Sequence, residues 1–173
     1  ALAAWLGRIS EVQVEEVVLN PNEPQYSMKG INGKRFDQEG RLKENLSAAD
    51  AVQYPNSADV HLDKPHLSFY RDGSLLYEVG SDKAVYNIQN KKVVFEQNVV
   101  LNKAADAKRL AGIVKTERLN VDTEAQYAHT DSPVTFQYGQ SGGQANGMTY
   151  DHKTGLLNFP SKVKATIYDT KNL

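Results

Sequence analysis

Three stretches of this 173-residue chain repeat one spacing of apolar side chains, and that repeat constrains the fold more than any single residue. They are residues 86–101 (YNIQNKKVVFEQNVVL), 121–136 (VDTEAQYAHTDSPVTF) and 150–165 (YDHKTGLLNFPSKVKA). Offsets 0, 7, 9, 13 and 15 place Tyr86, Val93, Phe95, Val99 and Leu101 in the first. They place Val121, Ala128, Thr130, Val134 and Phe136 in the second, and Tyr150, Leu157, Phe159, Val163 and Ala165 in the third. Fourteen of these fifteen are apolar or Tyr, where a 40% hydrophobic composition would supply about six. Offsets 7 to 9 and 13 to 15 step by two, the period at which strand residues share a face. Turn formers lie between them: 87–90, 122–124 and 151–155, then EQN, DSP and PSK. Each unit therefore reads as strand, tight turn, strand, tight turn, strand. Unit starts 35 and 29 residues apart imply a stacked or rolled array with one continuous apolar lining. Ala84, Leu119 and Met148, two residues before each unit, extend the same face.

The rest of the chain follows the same period. Val12, Val14, Val17, Val18 and Leu19 form a strand ended by NPNEP. Residues 26–46 hold two Gly-bearing turns, KGING and DQEG, with Phe36 and Leu42 flanking the second. Val52 and Tyr54 alternate with polar residues, as do Val60 and Leu62. Leu67 and Phe69, then RDGS, then Leu75, Tyr77 and Val79 make a hairpin with Asp72-Gly73 at its tip. No segment of ten residues or more carries a 3.6-residue apolar period, and turn signals recur every 8–12 residues, so the class is an all-β sandwich or open barrel. The glycines of YGQSGGQANG (138–147) mark a bulge, a loop or a close strand crossing.

Chemistry is not asked for. The net charge is −1, without the basic footprint of a nucleic-acid binder, and there is no cysteine for a zinc ribbon, thiol enzyme or disulfide scaffold. His61, His66, His129 and His152 fall at no metal-ligand spacing and read as solvated polar positions. The carboxylate pairs Glu15–Glu16 and Asp59–Asp63 read as outward or loop-end positions, and no nucleophile elbow or phosphate loop is present. No catalytic residue, cofactor or metal site is therefore expected. The lining is either a plain hydrophobic core or two walls that part to hold an apolar ligand. The start, ALAAWLGR, is either the end of a membrane anchor with Trp5 at the interface or an ordinary mature terminus.

Several ordered landmarks resemble the LptC family, the inner-membrane-anchored periplasmic components of lipopolysaccharide export in Gram-negative bacteria. They are PNEPQYSMKGINGKRFDQEGRL, DKPHLSFYRDGSLLYEVGSDKAVYN, VVFEQNVVL and VTFQYGQSGGQANGMTYDHKTGLLNF, with Gly139 and Gly147 as structural glycines. The resemblance spans about Val12 to Asp169; its one departure is that some relatives carry Trp where this chain has Tyr77. It implies an open, twisted antiparallel β-jelly roll with a V-shaped groove over 9–173, and residues 1–8 as the periplasmic end of a single-pass inner-membrane anchor. It implies that lipopolysaccharide passes from the transporter LptBFG to the bridge protein LptA without covalent chemistry. The groove would then be lined by Ile31, Phe36, Leu42, Leu62, Leu67, Phe69, Tyr77, Val79, Tyr86 and Phe95. Of these, Ile31, Phe36, Leu62 and Phe69 are expected nearest the open seam. The last strand, with Lys162, Val163, Ala165, Ile167 and Tyr168, is expected to offer its edge to LptA, its lysines guarding against indiscriminate pairing. Val12, Val14, Val17 and Leu19, on the opposite edge, would face the transporter. The alternative is an envelope scaffold whose interior is fully packed.

Overall fold

The computed structural model describes residues 11–19, 26–160 and 162–166, with side-chain surroundings for 26–160. All thirteen strands belong to one antiparallel sheet, and no helix occurs among the described residues. They are β1 (Glu11–Leu19), β2 (Tyr26–Phe36), β3 (Leu42–Gln53), β4 (Asp59–Asp63), β5 (His66–Arg71), β6 (Ser74–Gly80), β7 (Lys83–Asn87), β8 (Lys92–Lys103), β9 (Gly112–Asp122), β10 (Tyr127–Tyr138), β11 (Ser141–Asp151), β12 (Leu156–Asn158) and β13 (Lys162–Thr166). Among the described residues β1 pairs only with β2, and β12 and β13 only with β11. Among the described residues the sheet has two edges and does not close.

Strand pairing divides this sheet into two layers. One half of β3, Asp50–Gln53, pairs with β4, which pairs with β7, which pairs with β8 at Lys92–Glu96. The other half, Glu44–Ser47, pairs with β5, then β6, then β8 at Val100–Lys103. Two short strand pairs thus fill the gap between two long strands, side by side, and every long strand contributes to both layers.

The dividing line is a row of backbone irregularities. Gly30, Lys64, Gln97, Asn98 and Gly147 take positive φ along it, and the ladders slip between Glu96 and Val99 and between Thr130 and Pro133. Bulges of this kind bend a strand and raise its twist, which lets one sheet fold over on itself as an open jelly roll. Polar side chains bind the outside of the corner. The Asn98 Nδ2 donates to Asp82 Oδ2 at 2.7 Å, and Lys64 Nζ meets Asp82 Oδ1 at 3.2 Å. The main-chain N–H of Asp82 donates to Gln97 O at 2.9 Å.

Two sequence readings are corrected here. EQN and DSP, expected as tight turns, lie inside β8 and β10 as bulges, because the strands bend between layers without reversing; the PSK turn falls on Ser161, outside the described residues. KGING is likewise a bend within β2, with Gly30 at φ 65°, whereas DQEG does turn the chain.

The repeat positions face inward as their parity requires wherever their surroundings are described; those of Val163 and Ala165 lie outside that range. Tyr86, Val93, Phe95, Val99, Leu101, Val121, Ala128, Thr130, Val134 and Tyr150 are buried, while Phe136, Leu157 and Phe159 are half-buried against the core. Ala84, Leu119 and Met148 are buried beside them. The Asp72-Gly73 tip takes φ 53° and 82°, the handedness a tight hairpin needs. A slip between Phe69 and Tyr70 sets Leu75 opposite Tyr70, turning Leu75 outward at 37% exposure.

Candidate functional site

The interior between the layers is the candidate site, and its lining is packed. Ile31, Leu62, Leu67, Phe69, Tyr77, Val79 and Phe95 are at most 2% exposed, and Tyr86 is 9% exposed. Phe36 is 36% exposed and Leu42, its partner across β2 and β3, is half-buried, so these two lie at the rim. Ile31 and Leu62 do not lie at the seam: they flank Gly30 and Lys64 on the corner, the closed side of the roll. Period two assigns a face but not a depth along the strand, which is why the sequence could not separate rim from corner.

Opposite the corner, the turn-bearing ends of the two layers meet. The guanidinium of Arg71, at the end of β5, reaches across and donates from Nη2 to the carbonyl of His152 at 2.6 Å and of Lys153 at 3.3 Å. Beneath this clasp an aromatic cluster fills the gap. Phe69 stacks on Tyr77 with centroids 4.6 Å apart, Tyr77 meets Tyr150 edge-on at 4.8 Å, and His152 lies 5.1 Å from Phe69. Pairs of this geometry add to burial alone.

The cluster also holds polar atoms without partners. Tyr77 Oη and His152 Nδ1 are buried with no hydrogen bond among the described residues. Burial holds the His152 imidazole down at about 4, with the Arg71 charge acting in the same direction. Burial raises Tyr77 well above its ordinary value and Tyr150 to about 12. His152 was expected to be solvated because it sits in a turn. It is 5% exposed, because its turn folds onto the opposite layer. Nearby, Glu44 faces Arg35 at 3.5 Å, and burial raises the Glu44 carboxyl despite that cation.

At the two edges, β1 carries Val12, Val14, Val17 and Leu19, and β13 carries Lys162, Val163 and Ala165. β13 pairs through one edge with β11 over Gly142–Ala145. Ile167, Tyr168 and residues 1–8 lie outside the described residues. Gly139 has φ 60° and a Cβ there would fall 2.4 Å from Leu110 Cδ1; Gly147 has φ 117° and its Cβ would fall 3.1 Å from Thr130 O. A side chain at Gly139 would have to displace Leu110, and one at Gly147 would combine a strained φ with a close carbonyl.

The residues that sequence reasoning missed are the seam cations Arg71, Lys103 and Arg109. For Lys103 a signal existed: it continues the parity of Val99 and Leu101, so it points inward and is 3% exposed. Arg71 and Arg109 sit beside turns, where a cation is ordinary, and the sequence held no sign of their partners.

A family model described as "Lipopolysaccharide-assembly, LptC-related" matches residues 1–169. Among solved structures, similarity extends to LptH of Pseudomonas aeruginosa, titled the LptA-homologous periplasmic component of the conserved lipopolysaccharide transport device. It covers 92% of this chain and 94% of that one, at 7% identity and a TM-score of 0.42. No curated protein matches the chain.

Proposed function

This chain belongs to the LptC-related family of lipopolysaccharide assembly, and from that membership we propose that it carries lipopolysaccharide by its acyl chains between the two layers of the roll. It receives the lipid from LptBFG and passes it to LptA, held at the inner membrane by an N-terminal anchor with the roll in the periplasm. The observation that carries the reading is the lining: one continuous apolar surface on an open sheet, running between two unpaired edges. Each methylene moved from water onto such a surface contributes about 0.8 kcal/mol, enough to hold a chain without covalent chemistry. The layers join along a bulged corner and a single-arginine clasp, so loading requires them to part at the seam and hinge at the corner. A free edge lets a partner's strand extend the sheet, and the lining continues across the joint.

A second reading, a scaffold with a permanently packed interior, is favoured by one observation: most of the lining residues are at most 2% exposed. Photo-cross-linking separates the two. A benzophenone side chain replacing Tyr86 should capture purified lipopolysaccharide, and one replacing the outward-facing Lys92 should not. Equal capture at both positions, or none at Tyr86, would leave the scaffold reading standing.

A further inference from the structure

Between the two layers at the seam lies a cavity of about 50 Å³, lined by residues that include Arg71, Lys103, Asp106, Tyr150, His152 and Gly155. Two cations, Arg71 and Lys103, line it, and a third, Arg109, stands beside its Gly155 wall. Lys103 is 3% exposed, and its Nζ reaches only the carbonyls of Ala104 at 3.1 Å and Leu110 at 3.3 Å, with the Tyr138 ring 5.9 Å away. Arg71 is held by the carbonyls of His152 and Lys153. The Arg109 guanidinium lies beside Gly155, where a Cβ would stand 3.4 Å from its Nη1. None of the three forms an ion pair among the described residues, although Lys29, Arg35, Arg41, Lys64, Lys83, Lys91 and Arg118 all do.

A buried ammonium with no counter-charge is costly and is normally paired. Burial lowers the Lys103 pKa, with the Asp106 carboxylate opposing and the Arg109 charge adding to the shift. The one carboxylate on the cavity wall, Asp106, turns Oδ1 to the N–H groups of Lys108 and Arg109 at 2.7 Å each, while its Oδ2 lies 3.5 Å from the would-be Gly155 Cβ and offsets part of the cationic charge. The cavity is thus a ready-made hole for an oxyanion, at the point where a lipid with its chains inside the roll would carry its headgroup.

We propose that Lys103 and Arg71, with Arg109 beside them, form a phosphate subsite that receives a phosphate ester of the lipid headgroup at the seam. The subsite rests on the transport reading and adds to it a polar anchor that sets how the lipid lies across the seam. Binding also gives Arg71 an alternative to the two carbonyls it now clasps, so capture of a phosphate loosens the seam through which the chains enter.

The test measures affinity for phosphorylated lipid A and for its fully dephosphorylated form, using wild type, Lys103→Met and the exposed control Lys108→Met. Wild type should prefer the phosphorylated lipid by about tenfold or more, the size of one charge-assisted hydrogen bond. Lys103→Met should lose that preference while binding the dephosphorylated lipid as wild type does, and Lys108→Met should match wild type. Equal affinity of wild type for both lipids, or a preference that survives Lys103→Met, overturns the subsite. Failure of wild type to bind either lipid overturns the transport reading itself. Lysine Nζ resonances of wild type give a readout that needs no variant: that of Lys103 should move with phosphorylated lipid only. If inorganic phosphate alone moves it as tightly, the site serves free phosphate and the headgroup assignment is wrong.

Discussion

Arg71 and His152 lie 81 residues apart in sequence and meet at the seam between the two layers in a 2.6 Å hydrogen bond from guanidinium to main-chain carbonyl. The contact joins β5 of one layer to the turn after β11 of the other, on the side opposite the bulged corner. It stabilises the closed roll without adding to either layer.

Replacing Arg71 with Ala should therefore open the seam and leave the sheet intact. Amide hydrogen exchange is expected to quicken at residues 152–155 and to stay unchanged in β7 and β8. Uniform acceleration across the sheet would show that the arginine supports the whole fold and not the seam alone.

Acid should destabilise the roll through His152. Its pKa is about 4 in the folded chain against an ordinary 6.5, so the unfolded chain binds the proton first as pH falls. Stability is then lost between about pH 6.5 and about pH 4, by up to roughly 3 kcal/mol. Urea melts of His152→Phe against wild type at both ends of that window should show the variant losing less. Parallel losses would place the acid sensitivity elsewhere.

Phe69 and Phe36 should respond differently to a charge. Phe69 is 2% exposed and stacked under the clasp, so Phe69→Asp unfolds the domain, and Phe69→Ala costs about 3–5 kcal/mol. Phe36, 36% exposed at the rim, keeps an aspartate in water, and Phe36→Asp should fold as wild type and weaken lipid binding. A folded Phe69→Asp, seen by circular dichroism, would contradict the packing described.

Alanine at two glycines separates crowding from backbone strain. Gly40 has φ 81° with nothing within 4 Å of its would-be Cβ, whereas Gly147 adds a carbonyl at 3.1 Å. Gly40→Ala should cost about 1 kcal/mol and Gly147→Ala about 2–3 kcal/mol by denaturant melts. Equal losses would mean that the corner yields at Gly147.

Ending the chain at Ser161 removes β13 and exposes β11 over Gly142–Ala145. The truncated domain is expected to stay folded and to bind lipid, but to lose LptA in a pull-down. Retained LptA binding by the folded truncation would move the partner edge elsewhere.

The sequence by itself determined the class and the lining. Period-two patterning admits only strands, the repeated offsets put Val93, Phe95, Val121 and Tyr150 on one face, and the glycines around Gly147 marked a bulge, a loop or a close crossing without choosing among them. These are local properties, since parity and turn chemistry are set within a few residues. Tertiary structure alone decided where along each strand a residue lies between corner and seam. EQN looks the same in sequence whether the chain reverses or bends there, and only pairing with β9 made it a bend. The seam followed the same logic: Arg71, Lys103 and His152 come from segments tens of residues apart. The burial of Lys103 and His152, and the cavity they share with Arg71, exist only because one sheet folds its two layers face to face.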